Sequence, residues 1–282
     1  MPRPRTPTRT RKRLHTLTRW ALGLVALYLG LCLLVFAAQR SLLYHPDPAP
    51  LRQTAAIGAQ LRSLQAADGT ALQAWWLPPA TATAPVALYL HGNGANLDNR
   101  AERIQALHAD GLGVLALSWR GYGGSGGRPS EAGWAQDARA AYAWLRAQGI
   151  APGRILLYGE SLGTTHAVML AAEQPVGALL LDSSFDSALA LAEGVYPWLP
   201  TAWLMRDPHR ADVAAPRVGV PVLQVHCATD PVSPLPHAQA LQARLPTSQL
   251  VVLEGRCHVP SYARYRAQAR AFFSAQWPGA GR

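Results

Sequence analysis

Nineteen residues from Trp20 to Ala38, WALGLVALYLGLCLLVFAA, carry no charge. Beyond them the hydrophobic positions break into short runs. A bilayer core of ~30 Å takes about 20 apolar helical residues, so the first stretch has the length of one membrane span. A cleaved signal has a shorter apolar region and a small-x-small cleavage site, which this stretch lacks in good form. Pro46, Pro48 and Pro50 cannot continue a helix, so residues 39–54 read as an extended linker. From residue 55 onward, runs of strand length recur at 60–66, 71–77, 86–90, 114–118, 155–158, 176–181, 222–225 and 250–253. Stretches rich in Ala, Leu and Arg at 95–109, 131–147, 162–173, 235–244 and 261–275 predict helices between the later runs. The first two runs are joined by AADGT, which predicts an antiparallel hairpin. A hairpin followed by alternating strands and helices predicts an α/β sandwich with a mostly parallel sheet. The interval 184–216 follows neither period, so it reads as a small irregular cap inserted over one end of the sheet.

Charge changes the picture at one end only. The chain has 26 basic and 16 acidic residues, a formal net charge of +10. Seven of the basic residues (Arg3, Arg5, Arg9, Arg11, Lys12, Arg13 and Arg19) lie within residues 1–19, and the remainder carries 19 basic against 16 acidic, or +3. A nearly balanced body disfavours nucleic acid as a partner. The basic segment before the span predicts a cytoplasmic N-terminus at 1–19, a signal anchor at 20–38 and a folded body, 55–282, outside the cytoplasm. The body is rich in Ala, Arg, Gly and Pro and the whole chain has a single Lys, a bias of GC-rich bacterial genes that would make that compartment the periplasm. Three cysteines, Cys32, Cys227 and Cys257, are too few for a disulfide scaffold and lack zinc-site spacing. No metal, phosphate-loop or dinucleotide motif is legible, and no cofactor is expected.

The candidate chemistry begins at Gly159-Glu160-Ser161-Leu162-Gly163, between the strand RILLY and a helical stretch. A nucleophile in a tight strand-to-helix turn needs small neighbours two places either side, and Gly159 and Gly163 supply them. The amide of Leu162, at the helix N-terminus, would face the negative charge that develops on an attacked carbonyl oxygen. The bland alternative is a helix entry capped by a serine. Three further features favour the nucleophile. VALYLHGNG ends in a glycine-rich loop whose Asn93 amide would supply the second oxyanion donor. Asp230 and His258 each follow a late strand, giving the chain order Ser, Asp, His. Strand-end loops at one edge of a parallel sheet meet in space. Asp182, after LLLDSS, is the rival acid.

These segments give the sequence a resemblance to the α/β-hydrolases over about residues 55–276. HGNGANL, WRGYGGSGGRPSEAG, GESLG, the Asp230 loop and QRSLLYHP resemble more narrowly a group of membrane-anchored hydrolases with a small cap. That group includes esterase-like and depalmitoylase-like members and is often placed beside serine aminopeptidases. The resemblance implies a serine hydrolase acting on the ester or thioester of a small or lipid-like acyl substrate, with Ser161 as nucleophile, His258 as base and Asp230 orienting it. One departure stands out. The family usually has glycine after the strand-end His of the acid loop and again just before the catalytic His, whereas this chain has Cys227 and Cys257. If Asp230 and His258 meet, the two cysteines occupy neighbouring loops, either as a disulfide or as two buried thiols.

The competing readings are a peptidase or amidase of the same fold and a catalytically silent binding scaffold. Amide cleavage needs a pocket for a free amine or peptide backbone, which is not legible, and a scaffold has no need of the whole Ser, Asp, His set. Tyr196, Trp198, Leu199, Trp203, Leu204 and Met205 form an apolar cluster in the cap, with Trp198 and Trp203 as candidate substrate contacts. The opposing reading is that they only seal the core. His91, Trp75, Trp76, Trp134, Trp144, His166 and Arg120 read as structural.

Overall fold

The computed structural model describes residues 9–279, with side chains from Arg13 onward; Arg3 and Arg5 of the basic segment lie outside the described residues. A long helix, α1 (Arg9–Leu43), precedes an eight-stranded sheet. The strands are β1 (Gln60–Gln65), β2 (Ala71–Leu77), β3 (Val86–Leu90), β4 (Gly113–Ser118), β5 (Ile155–Glu160), β6 (Ala178–Asp182), β7 (Val222–Cys227) and β8 (Ser248–Leu253). Their spatial order is β1-β2-β4-β3-β5-β6-β7-β8. β1 with β2 and β2 with β4 run antiparallel, and the remaining neighbours run parallel. The hairpin and the mostly parallel sheet are those the hydrophobic pattern predicts.

Burial explains the pattern. Strands covered on both faces read as unbroken apolar runs, and every residue of VALYL in β3 and ILLYGE in β5 is buried. The edge strands β1 and β8 alternate or stay half-exposed instead. One face, with Leu88, Leu90, Leu115 and Leu157, packs on α3 (Glu131–Ala147) and α4 (Leu162–Ala171) through Trp134, Ala141 and Val168. The other face, with Tyr89, Ala116 and Tyr158, packs on α2 (Ala101–Ala109) and α9 (Arg266–Gln276) through Ile104, Leu107 and Phe273. Helix α8 (Leu235–Gln242) lies between β7 and β8 in the chain. Trp75 and Trp134 are fully buried, and Trp134 stacks on Trp119 with ring centres 4.4 Å apart. Arg120 pairs with Asp137 and Asp68 and so holds its loop.

Two segments differ from expectation. The cap is not irregular: it holds α5 (Ala188–Val195), α6 (Thr201–Leu204) and α7 (Ala211–Ala214). Helices of four to eight residues are too short to print a 3.6-residue period, and the prolines around them mask what remains. The segment after the apolar stretch is extended from Tyr44 onward, as its prolines require, but α1 first runs five residues past Ala38 to Leu43. The extended part is pinned to the body. The amides of Asp47, Gly123 and Gly124 donate to the carbonyls of Ala95, Asp47 and Pro48, and the Asn96 amide group donates to Asp47 Oδ2 over 2.9 Å.

Candidate active site

Ser161 sits between β5 and α4 with φ 49° and ψ −119°. A non-glycine residue there costs ~1–3 kcal/mol and persists only where the surroundings impose it. The glycines allow the surroundings to do so. A Cβ on Gly163 would stand 2.1 Å from the Leu90 carbonyl oxygen, and one on Gly159 would stand 2.5 Å from the Thr164 Cα. These are backbone collisions, so the turn closes only with glycine at both places.

Three loops converge on this turn. Ser161 Oγ lies 2.8 Å from His258 Nε2, and His258 Nδ1 lies 2.8 Å from Asp230 Oδ2. A carboxylate only accepts, so Nδ1 carries the proton and Nε2 accepts from the serine hydroxyl. Asp230 Oδ1 also accepts from the amides of Val232 (2.8 Å) and Ser233 (3.0 Å). Burial pushes the Asp230 carboxyl up, but the hydrogen bonds from His258 and those amides outweigh it and hold it below its ordinary value. His226 Nε2 sits 2.8 Å from the Ser233 carbonyl and braces the same loop. The His258 loop is fixed by Ser183 Oγ, which accepts from the Val259 amide at 2.9 Å while Val259 takes φ 54°. A β-branched residue in the left-handed region is a strained position. Cys227 and Cys257 are joined by a disulfide, Cα atoms 5.7 Å apart, which ties the Asp230 loop to the His258 loop.

Asp182 is occupied elsewhere. It is fully buried and accepts from Tyr265 (2.7 Å), Tyr158 (3.2 Å) and the Arg103 guanidinium. Beside it lies a second charge group that sequence reasoning missed. Arg100 Nη2 pairs with Glu160 Oε1 at 2.8 Å, and its Nη1 donates to the carbonyls of Gly94 and Asn96. The residue before Ser161 is thereby bolted to the glycine-rich loop. Burial alone would raise the Glu160 carboxyl, but Arg100 and Arg103 hold it at about 2. The signal was visible, since Glu160 occupies an x position of Gly-x-Ser-x-Gly, but its arginine partners lie far along the chain.

The Asn93 side chain turns away from Ser161. Its Oδ1 accepts from the His45 amide (3.0 Å) and the Tyr122 hydroxyl (2.9 Å), and its Nδ2 donates to the Leu43 carbonyl at the end of α1. Among the described residues, the backbone amides of Asn93 and Leu162 donate to no other residue, and both residues border the cavity above Ser161. His91 is buried against Trp119 and Tyr122, and burial pushes it down to about 3, so it is neutral.

That cavity encloses about 440 Å³. Its floor is Ser161 and Leu162, and its cap wall includes Phe185, Leu191, Tyr196, Trp198, Leu204 and Met205. Trp203, the second tryptophan expected to contact substrate, stands on the outer surface of the cap, 90% exposed, rather than on the cavity wall. Another wall comes from α1: Val35, Gln39, Leu42 and Leu43. No feature of the sequence joined that helix to the site. Gln39 exchanges hydrogen bonds with the Leu204 carbonyl (3.0 Å) and the Arg206 amide (2.6 Å), and Arg40 forms a two-pronged pair with Asp207. Tyr44 meets His209, and His209 meets His166 of α4, at 2.9 and 3.1 Å.

The sequence profile of the alpha/beta hydrolase fold matches residues 85–204. The uncharacterized protein Rv2307c of Mycobacterium tuberculosis is 37% identical over 218 residues, covering 76% of this chain and 78% of that protein. The lysophosphatidylserine lipase ABHD12 of Rattus norvegicus is 31% identical over 182 residues, 57% of this chain and 46% of the lipase. Among solved structures, the Pyrococcus furiosus esterase Pf2001 superposes with a TM-score of 0.65 at 18% identity, covering 84% of this chain and 97% of the esterase. The sheet order and the strained turn at Ser161 fit that likeness in fold, and the chain belongs to the α/β-hydrolase family.

Proposed function

We propose that this protein is a membrane-anchored serine hydrolase that cleaves a carboxylic ester or thioester through an acyl-enzyme on Ser161. The observation that carries the reading is the continuous relay from Ser161 Oγ through His258 to Asp230, both steps at 2.8 Å. Ser161 Oγ attacks the acyl carbonyl as His258 Nε2 takes the hydroxyl proton, and Asp230 stabilises the imidazolium. The carbonyl oxygen becomes an oxyanion facing the amides of Asn93 and Leu162. Collapse breaks the bond to the alcohol or thiol, which leaves with the proton from His258. Water then gives a proton to His258 and attacks the acyl-enzyme. The carboxylic acid departs and Ser161 regains its proton.

The esterase and lipase names among similar proteins support ester chemistry, and the predominantly apolar cavity supports an acyl group in it. Anchoring rests on α1, whose described apolar stretch has a mean hydropathy of 2.5 over its best 18 residues and is long enough to cross a bilayer. Its basic N-terminal flank supports an N-terminus in the cytoplasm and a hydrolase body on the other side of the membrane. A fluorophosphonate should label the detergent-solubilised protein and fail to label Ser161→Ala. Equal labelling of both would overturn the reading.

A further inference from the structure

The cap and α1 lie side by side over a long distance. The Tyr28 hydroxyl donates to the Trp198 carbonyl at 2.9 Å, Gln39 bonds Leu204 and Arg206, and Arg40 bonds Asp207. From Tyr28 to Arg40 the helix rises about 18 Å at ~1.5 Å per residue. The two segments therefore keep company over a length comparable to one leaflet of a bilayer core, which is ~30 Å thick in all. With Trp20–Ala38 across the membrane, Tyr28 lies near its middle, and the cap is carried into the leaflet on the C-terminal side of the helix.

The composition of the cap fits that position. From Gly194 to Met205, VYPWLPTAWLM included, there is no charged residue, and Glu193 and Arg206 close the run on either side. Within it Val195, Tyr196, Trp198 and Trp203 are 65%, 47%, 54% and 90% exposed, an apolar surface without a protein cover. A continuous apolar patch costs free energy in water and gains it in lipid. Arg40 and Arg206 stand at its upper edge, Arg206 with its guanidinium over the Phe36 ring at 4.6 Å, where long basic side chains reach headgroups. The cavity above Ser161 has its walls in these two elements, Val35 and Leu42 on one side and Tyr196 and Trp198 on the other.

We propose that the cap is seated in the lipid leaflet beside α1 and that the cavity between them receives the acyl chain of a membrane-resident amphiphilic ester directly from that leaflet. This rests on the serine hydrolase reading and narrows its substrate to an amphiphile whose tail enters between cap and helix while the bond to be cut is held at Ser161. A soluble ester would still reach Ser161, but without the concentrating effect of the leaflet.

The test uses the full-length protein in dioleoylphosphatidylcholine vesicles, with p-nitrophenyl acetate in the water and a fluorogenic medium-chain acyl ester dissolved in the vesicles. Trp203→Asp puts a charge on the exposed surface without touching the cavity wall. It should leave acetate turnover within about twofold and lower turnover of the vesicle-borne ester at least about tenfold. Equal effects on both substrates, or on neither, would overturn the proposal. Depth is read separately: in vesicles of brominated phosphatidylcholine the wild type should lose more tryptophan fluorescence than Trp203→Phe, and equal quenching would place Trp203 in water and overturn it. If the wild type cleaves neither ester in a Ser161-dependent way, the hydrolase reading fails instead.

Discussion

Ser161, His258 and Asp230 are joined by two 2.8 Å contacts, and in the proposed mechanism removing any one member removes what the other two do. Ser161→Ala, His258→Ala and Asp230→Asn should each lower turnover of an activated ester by at least ~10³-fold with little change in thermal midpoint. Asp182→Asn should do the reverse. It leaves the buried Arg103 with only its longer pair to Glu160, at 3.7 Å, and stripping one member of a buried pair typically costs ~3–5 kcal/mol, so the thermal midpoint should fall while the folded fraction keeps its turnover. Abolished turnover in folded Asp182→Asn with intact Asp230→Asn would reassign the acid. Glu160 adds a pH dependence. Its folded value of about 2 lies below the ordinary 4.5. The stabilisation is therefore complete above the unfolded value and is lost as pH falls toward the folded one. Melting curves recorded from about pH 5 to pH 2 should drop more steeply for the wild type than for Glu160→Gln, which begins less stable.

At the scale of elements, the disulfide joins the loop after β7 to the loop after β8 across a sequence separation of 30 residues. Closing a loop of this size removes ~3–4 kcal/mol worth of freedom from the unfolded chain. The Cys227→Ala, Cys257→Ala double variant should melt lower and lose turnover before it unfolds, because the acid and base loops are no longer tied. Thiol counting on the denatured, unreduced full-length protein should find one reactive group, Cys32, and three would show that no bridge forms. Trp198 lines the cavity from the cap. Trp198→Ala should raise the ratio of long-chain to short-chain ester turnover, and a changed stability with an unchanged ratio would make Trp198 a structural residue only.

At the scale of the molecule, the strands were legible because β3, β5 and β6 are covered on both faces and open as unbroken apolar runs, VALYL, ILLY and ALLL. The Ser161 turn was legible because Gly159 and Gly163 are forced by backbone collisions that tolerate no other residue. The cap helices were not, since a four-residue helix such as α6 carries no periodicity to read. Nor was the role of α1. Contacts such as Arg40 with Asp207, 167 residues apart, leave no trace in local pattern. A shorter link, the bond from Asn93 to the Leu43 carbonyl, has a consequence of its own. It makes the helix a lever whose short arm is the loop bearing one of the two amides proposed to meet the oxyanion. If α1 spans the bilayer as proposed, a bilayer thinner or thicker than the span would tilt it, and the tilt would be delivered at Leu43. Bilayer thickness would then be a variable of the proposed catalysis even for a water-soluble ester. Turnover of p-nitrophenyl acetate should differ between vesicles of short-chain and long-chain phosphatidylcholine, and Asn93→Ala, which keeps the backbone amide and the Asp47 ties to Ala95 and Asn96 but loses the bond to Leu43, should narrow that difference.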